Sequence, residues 1–264
     1  MVGGRSGLGA TFRPPFGAIV MRVSVVVPAR NEERFLPACL EALRRQTLGD
    51  FELIVVDSAS SDRTGEIARA FGARVIRLEK PGISRARQAG FEAAKGDVIA
   101  STDADAAPPP DWLERLTAPF SDPQVVATIS AITYGKGYRI QTWVDNHCQR
   151  FLHRFGLPSA NAVLAVRRWA FDGVNGFYLP NGKLPQGFPE LEAMWLGLKL
   201  RHVGKIVLIP ELRVLTSPRR LWDPRMAYWW TFACLRKAMQ FGWWELTRKN
   251  FLQRGDMKSW SKAE

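Results

Sequence analysis

The sequence predicts an α/β fold built on an open, mostly parallel sheet with helices on both faces. Short runs of apolar, mostly β-branched residues recur along the first 120 residues, and they are too apolar to alternate with polar ones. Such runs are typical of strands that are covered on both faces. Segments with helical spacing of apolar residues separate the runs, and this alternation is the usual pattern of a parallel sheet.

The first predicted strand covers residues 22–28 and consists largely of valine. Asn31 follows it and is expected to cap the first helix. Along that helix an apolar face recurs at helical spacing, formed by Phe35, Leu36, Cys39, Leu40 and Leu43.

The second predicted strand, residues 51–56, runs directly into Asp57. Asp62 is expected to cap the helix that follows, and Gly72 is expected to close it. The third strand covers residues 73–78, and a further helix is predicted from Ser84 to Lys95. These elements complete two strand–helix units after the first.

The fourth predicted strand, residues 98–100, is followed at once by the carboxylates of Asp103 and Asp105. Side chains at positions i and i+2 of an extended segment point the same way. Two such acids repel each other unless a cation lies between them, and Mg²⁺ is usually held by oxygen ligands together with substrate phosphates. A metal bound by a diphosphate is one interpretation. An Asp-rich turn before the triple proline at 108–110 is the other.

Polar residues collect at the edge where the predicted parallel strands end, which is where open sheets bind ligands. They are Asn31, Glu32, Asp57, Lys80, Asp103 and Asp105. No GxGxxG follows the first strand and no GxxxxGK[ST] occurs in the chain, which argues against a dinucleotide enzyme and a P-loop NTPase.

The charge and the cysteine content of the chain indicate which classes of partner and which cellular compartment it fits. The net charge of +12 suits phosphate-bearing ligands, an anionic membrane surface or nucleic acid. Residues 199–264 hold fourteen lysines or arginines against five acids. We expect no nucleic-acid partner, because no RNA-binding motif accompanies the basic residues. Three scattered cysteines give neither a disulfide framework nor a zinc site and favour a cytoplasmic protein.

The residue pattern of the second half of the chain predicts a strand at 125–133, a helix at 138–155 and a strand at 205–210. The helix carries His147 and His153, which we interpret as surface or acceptor-pocket groups, because no partner stands at zinc-ligand spacing. After the last strand, Arg219 and Arg220 can clamp a diphosphate or an acidic acceptor, or form a solvated basic loop.

Three stretches together resemble the nucleotide-sugar half of family 2 glycosyltransferases of the GT-A fold. They are VSVVVPARNEERFLPACLEAL, FELIVVDSASSDRTGEIA and PGISRARQAGFEAAKGDVIASTDADAAPPPDWL. Residues 159–168 and the turn at 175–177 extend the resemblance into the second half. The resemblance implies a metal-dependent inverting transferase that uses Mg²⁺ or Mn²⁺. It also implies a nucleoside-diphosphate sugar as donor, with UDP favoured over GDP.

The resemblance also implies roles for individual residues. Those expected around the nucleotide and its base are Pro28, Ala29, Glu32 and Asp57. Those expected near the base and the phosphates are Lys80, Gly82 and Arg87. Asp103 is expected to lie beside the ribose, and Asp105 is expected to bind the metal. The family's asparagine after that arginine is Gln88 here.

The acidic pair that opens a late helix in the family is altered in this chain. Counting back from Gly204 places Glu192 on the first acid and Ala193 where the catalytic base is expected. Alanine cannot deprotonate an acceptor hydroxyl, so the expectation passes to Glu192, with Glu190 in reserve. The alternative is that both acids merely favour the helix N-terminus.

Two other functions stay open from the sequence. A nucleotide-sugar-binding protein with impaired catalysis is kept open by Ala193. A sugar-1-phosphate nucleotidyltransferase shares the sheet plan and the acids, but PARNEE replaces the glycine-rich loop that such an enzyme carries. The acceptor is open too, and a lipid-linked one is among the options.

Residues 225–249 combine tryptophan with lysine and arginine, which fits either a helix lying on an anionic bilayer or a core or dimer helix. On the first interpretation the protein lies on the inner face of the cell membrane. The chain divides into a disordered leader at 1–20, a nucleotide-sugar-binding half at 21–120, an acceptor-binding and catalytic half of the same domain at 121–222, and an aromatic and basic helical segment at 223–264.

Overall fold

A computed structural model describes residues 21–154, 163–179, 181–185 and 191–219. The strands of this part are β1 Val23–Ala29, β2 Phe51–Ser58, β3 Arg74–Leu78, β4 Val98–Ser101, β5 Ala106–Ala107, β6 Val125–Thr133, β7 Leu164–Arg167 and β8 Lys205–Thr216. Its α-helices are α1 Leu36–Arg44, α2 Thr64–Ala70, α3 Ile83–Ala93, α4 Trp112–Thr117, α5 Arg139–Arg154, α6 Arg168–Gly173 and α7 Leu191–Leu200. The predicted leader and the predicted segment 223–264 lie outside the described residues.

The strands form one sheet in the order β3-β2-β1-β4-β7-β6-β8-β5. β1 pairs in parallel with both β2 and β4, and β2 pairs in parallel with β3. β7 is antiparallel to both of its neighbours, β4 and β6, whereas β8 is parallel to β6. The predicted parallel sheet is therefore confirmed for the first half, and the second half is mixed.

Both faces of β1 are buried, as the run of valines predicts. Val25 and Val27 pack in one apolar cluster, together with α1 and α4. Val26 packs in the other cluster, with residues of α3, α6 and α7. Because successive strand side chains point to opposite faces, the strand is held between two helical layers, and the loop after it stays at the carboxyl edge of the sheet.

Asn31 does not cap α1, contrary to the sequence-based expectation. The helix begins only at Leu36, after Phe35, and no side chain caps it. Asn31 has a left-handed backbone with φ of 53°, and its Oδ1 accepts a hydrogen bond of 2.8 Å from the Ser61 backbone N–H. The residue therefore ties the loop after β1 to the loop after β2, which fixes two parts of the same rim.

β8 is longer than predicted and continues past Pro210 to Thr216. A register shift against β6 lies between Ile209 and Arg213, so the proline falls in a bulge where no ladder hydrogen bond is required of it. The extended strand pairs with β5, and the Ser217 N–H donates to the Asp105 carbonyl over 3.1 Å. This pairing carries the residues after β8 to the rim.

None of the helices in the described part of the chain combines the length and the apolar character that crossing a bilayer requires.

Helix α3 lies so close to the sheet that Gly90 has no room for a side chain. A Cβ there would come within 2.9 Å of Val56 Cγ2 and closer still to Val26 Cγ1. We expect Gly90→Ala to lower the free energy of unfolding by about 1–3 kcal/mol through overpacking. Chemical denaturation followed by circular dichroism measures the change.

Gly173, in helix α6, is the matched control, because no atom lies within 4 Å of the position of its Cβ. Gly173→Ala is expected to leave stability unchanged or to raise it by up to about 1 kcal/mol. Equal effects of the two substitutions would contradict the close packing of α3.

Candidate active site

A cavity of about 230 Å³ lies at the carboxyl ends of β1, β2 and β4. Arg219, three residues after the end of β8, lines the cavity as well. The residues that line the cavity are Pro28, Ala29, Arg30, Glu32, Ser58, Gly82, Ile83, Ala86, Asp103, Ala104, Asp105 and Arg219. Seven of the residues predicted from the sequence are among them: Pro28, Ala29, Glu32, Gly82, Asp103, Asp105 and Arg219.

Arg219 bridges two carboxylates that come from separate loops. Its two terminal nitrogens donate to Glu32 over 2.9 and 2.5 Å, and its Nε lies 2.9 Å from Asp105 Oδ2. The guanidinium also stacks 4.7 Å from the Phe35 ring centroid. Burial lowers the pKa of Arg219, but the hydrogen bond to Glu32 and the charge of Asp105 outweigh it, so the pKa is raised overall. One cation thus contacts both acids and offsets part of their charge.

Arg87 makes a second bridge directly behind the cavity. It is buried in α3, and its Nη2 donates to Asp103 Oδ1 over 2.7 Å. Its Nη1 forms a very short ion pair with Glu192 at the start of α7. Glu192 is fully buried and is not among the residues that line the cavity. The residue expected to be the base therefore sits one arginine away from Asp103.

Asp57 is buried below the cavity surface rather than on it. Its carboxylate accepts hydrogen bonds of 2.9 Å from the Ser60 N–H and 2.5 Å from Arg77 Nη1. α2 can approach it because residue 65 is glycine, where a Cβ would lie 2.8 Å from Asp57 Oδ2. Ser58, the next residue, lines the cavity in its place.

The remaining predicted residues are placed as follows. Lys80 is exposed and is not among the residues that line the cavity, whereas Gly82 is. Gly82 has φ of 156°, and its N–H donates to Ser58 Oγ over 3.0 Å, which joins the loop after β3 to the last residue of β2. Arg220 and Glu190 lie outside the described residues.

Several site residues were missed by reasoning from the sequence. Arg30, Ser58 and Ala104 each directly follow or precede a predicted residue, so adjacency was the available signal. Ile83 and Ala86 are three residues apart on the first turn of α3 and give no chemical signal. Arg77 was missed as well, although parallel register places it opposite Asp57.

Cys39 borders the acids and is buried in an apolar cluster. Burial raises the pKa of its thiol, and the charges of Asp103, Asp105 and Glu32 raise it further. Its Sγ donates a weak hydrogen bond of 3.5 Å to the Asp103 carbonyl. Because the thiolate is the reactive form, this cysteine has a packing role.

The carboxylates of the cavity suit a hard divalent cation that shares its ligands with a phosphate. No group of three or more His, Cys, Asp or Glu that could hold a metal occurs within the described ranges. Asp103 and Asp105 nevertheless line the same cavity with Glu32, and Mg²⁺ sites commonly use one or two carboxylates plus substrate phosphates. The oxygen donors present therefore fit such an ion.

The two histidines on α5 lie elsewhere. His147 is exposed, and its Nδ1 lies 2.8 Å from the Trp143 carbonyl oxygen. His153 is half-buried, and burial lowers its pKa. Neither is among the residues that line the cavity.

Comparison with known proteins gives the following similarities. The chain is 40% identical over 100 residues to an uncharacterized glycosyltransferase, EpsJ, of Bacillus subtilis, a stretch that covers 36% of this chain and 29% of that protein. The chain thus spans under a third of that relative's length. The model of glycosyl transferase family 2 matches residues 24–187, which is more than half of the chain.

Two solved structures are similar in fold. The first is glucosyl-3-phosphoglycerate synthase from Mycobacterium tuberculosis in complex with Mn²⁺, UDP and glucosyl-3-phosphoglycerate, with 22% identity, a TM-score of 0.58 and coverage of 85% of each chain. The second is the mannosyltransferase PcManGT from Pyrobaculum calidifontis with GDP-Man and Mn²⁺, with 22% identity, a TM-score of 0.57 and coverage of 75% and 57%. The sheet, the rim of acids and these similarities agree: the chain belongs to glycosyl transferase family 2 and has the GT-A fold.

Proposed function

We propose that this chain is a metal-dependent inverting glycosyltransferase that moves a sugar from a nucleoside-diphosphate sugar, with UDP favoured, to a hydroxyl or phosphate acceptor. The observation that carries the proposal is the meeting of Glu32, Asp103 and Asp105 in one cavity at the carboxyl edge of the sheet. The Mn²⁺, UDP and GDP-Man in the similar structures support both the donor class and the metal.

Asp105, with Asp103 beside it, would hold Mg²⁺ or Mn²⁺. When bound, the ion would offset the charge that grows on the leaving diphosphate. Pro28, Ala29 and Gly82 would shape the wall against the nucleotide.

Arg219 would change partners during the cycle. Asp105 cannot pair fully with both Arg219 and a divalent ion, so we infer that the guanidinium leaves the carboxylate when metal and donor bind. Its fork of donors matches two phosphate oxygens. Arg220, the next residue, would add a second positive charge.

Glu192 remains our proposed base, with Glu190 in reserve. To act on an acceptor, Glu192 must be reached from the cavity, and Arg87 is the group that separates it from Asp103. A second candidate function follows from the same observation. If the Arg87–Glu192 pair is permanent, the chain binds nucleotide sugars without transferring them, since Ala193, buried beside it, cannot replace the base.

Asp105→Asn tests the metal site. We expect the variant to lose at least about 99% of Mn²⁺-dependent UDP release from a panel of UDP-sugars, because the metal loses its charged ligand. EDTA should abolish release by the unchanged protein. The control is Asp111→Asn, which removes an acid paired 3.2 Å from Arg115 on the surface of α4. A variant at Asp105 with normal release would refute the proposal.

Arg219→Met tests the exchange of cations. Without donor, the variant is expected to bind Mn²⁺ about tenfold more tightly, because Glu32 and Asp105 lose their competing positive charge. Titration followed by the electron paramagnetic resonance of free Mn²⁺ gives the affinity. Arg115→Met, on the surface, should leave the affinity unchanged. Weaker Mn²⁺ binding by the Arg219 variant would show that the bridge does not compete with the metal.

Glu192→Gln separates the two candidate functions. A base is expected to contribute at least about a hundredfold to turnover, so UDP release should fall by that factor while UDP affinity stays within about twofold. Glu114→Gln, an exposed acid on α4, is the control. Near-normal turnover would transfer the test to Glu190→Gln. If the unchanged protein binds UDP but releases none from any donor, the binding function is the correct one.

A further inference from the structure

Helix α5 is oriented with its polar face toward the protein. Its buried residues are Thr142, Asp145, Asn146, Gln149 and Leu152, of which four are polar. Large apolar residues lie on its opposite face, where Ile140 is 81% exposed, Trp143 59% and Val144 40%. A surface helix of a globular protein normally shows the reverse arrangement.

The inward polar residues are explained by the strand beneath them. Among the described residues, β7 pairs with β6 only from Ala127 to Ile129, and α5 supplies hydrogen-bond donors to the β6 backbone beyond that point. Asn146 Nδ2 donates to the Ile132 carbonyl over 3.1 Å, and Gln149 Nε2 reaches the Ser130 carbonyl at 3.5 Å. Thr142 Oγ1 accepts from the Tyr134 N–H over 3.1 Å. The helix thus satisfies a strand edge.

The exposed apolar residues of α5 make none of these hydrogen bonds to β6. Ile140, Trp143 and Val144 are spaced three and four residues apart and form one surface, which we name the α5 patch. The Trp143 ring stacks on His147 with centroids 4.1 Å apart, so the indole is held at the surface. An exposed apolar surface of this kind marks an interaction site.

The exposed charged residues of α5 and of the turn before it are all basic. Lys136, Arg139, Arg150 and Arg154 are all exposed. The acid within α5, Asp145, is buried on the inner face. The outer surface of α5 therefore combines exposed apolar side chains with positive charge.

We propose that the α5 patch docks on an anionic lipid bilayer. Tryptophan and aliphatic side chains between arginines and lysines are the composition of helices that lie in the interface of such a bilayer. Charge complementarity selects this partner. A second copy would bring two sets of basic residues together, and the chain's own segment 225–249 carries five basic residues and one acid. Anionic lipid headgroups supply the missing negative charge.

The position of the α5 patch relates it to the cavity. Gly135, just before the helix, lies beside Leu215 of β8, whose Cδ1 would be 3.7 Å from a Cβ at residue 135. Leu215 is itself 47% exposed, and Arg219 of the cavity follows it by four residues. β8 therefore connects the proposed bilayer contact directly to the site.

Co-sedimentation of the full chain with vesicles tests the proposal. Binding is expected to vesicles of phosphatidylglycerol and phosphatidylcholine, and to weaken in high salt and with pure phosphatidylcholine. Ile140→Ser combined with Trp143→Ser should weaken binding about tenfold or more. Trp169→Ser is the matched control, because Trp169 is a 54% exposed tryptophan on α6, and it should bind normally.

A second double variant keeps the apolar side chains of the α5 patch and reverses the charge of two arginines on α5. Arg139→Glu with Arg150→Glu should also weaken binding about tenfold, and thermal unfolding should show that both double variants remain folded. Unaltered binding by the two double variants would overturn the proposal and assign any membrane contact to another segment. Failure of the unchanged chain to bind anionic vesicles would overturn it too. So would a dimer, detected by sedimentation velocity, that the serine variant abolishes.

Discussion

The site depends on the pairing of four closely spaced carboxylates with two arginines. Glu32, Asp103 and Asp105 line the cavity, and Glu192 lies buried behind it. Such acids destabilise one another unless cations lie between them, and burial makes an unpaired charge more costly. Arg219 pairs with Glu32 and Asp105, and the buried Arg87 pairs with Asp103 and Glu192.

The two arginine bridges differ in what they permit. Arg219 follows β8 and is partly exposed, so it can change partners without disturbing the sheet. Arg87 is buried in a helix that packs on β1 and β2 without room for a Cβ at Gly90. The first bridge is therefore suited to exchange during a reaction cycle. The Arg87 bridge is suited to a fixed link. The role of Glu192 therefore decides whether the chain transfers a sugar or only binds the nucleotide sugar.

The second half of the chain uses polar contacts where the first half uses apolar packing. Among the described residues, β7 pairs with β6 only as far as Ile129, and side chains of α5 donate to the β6 backbone beyond it. This arrangement directs Ile140 and Trp143 outward. β6 also pairs with β8, and Arg219, three residues after the end of β8, lines the cavity. These two strands thus link a surface suited to a bilayer with the proposed reaction site.

The sequence alone determined the order of strands and helices in the first half and the positions of the acids at the carboxyl ends of β1, β2 and β4. These features are local, since runs of valine bury both faces of a strand and residues after parallel strands share one edge. Tertiary structure decided which cation faces which acid. Arg219 and Glu32 are 187 residues apart, and no local pattern specifies their pairing. The burial of Glu192 and the orientation of α5 likewise depend on neighbours that only the folded sheet brings together.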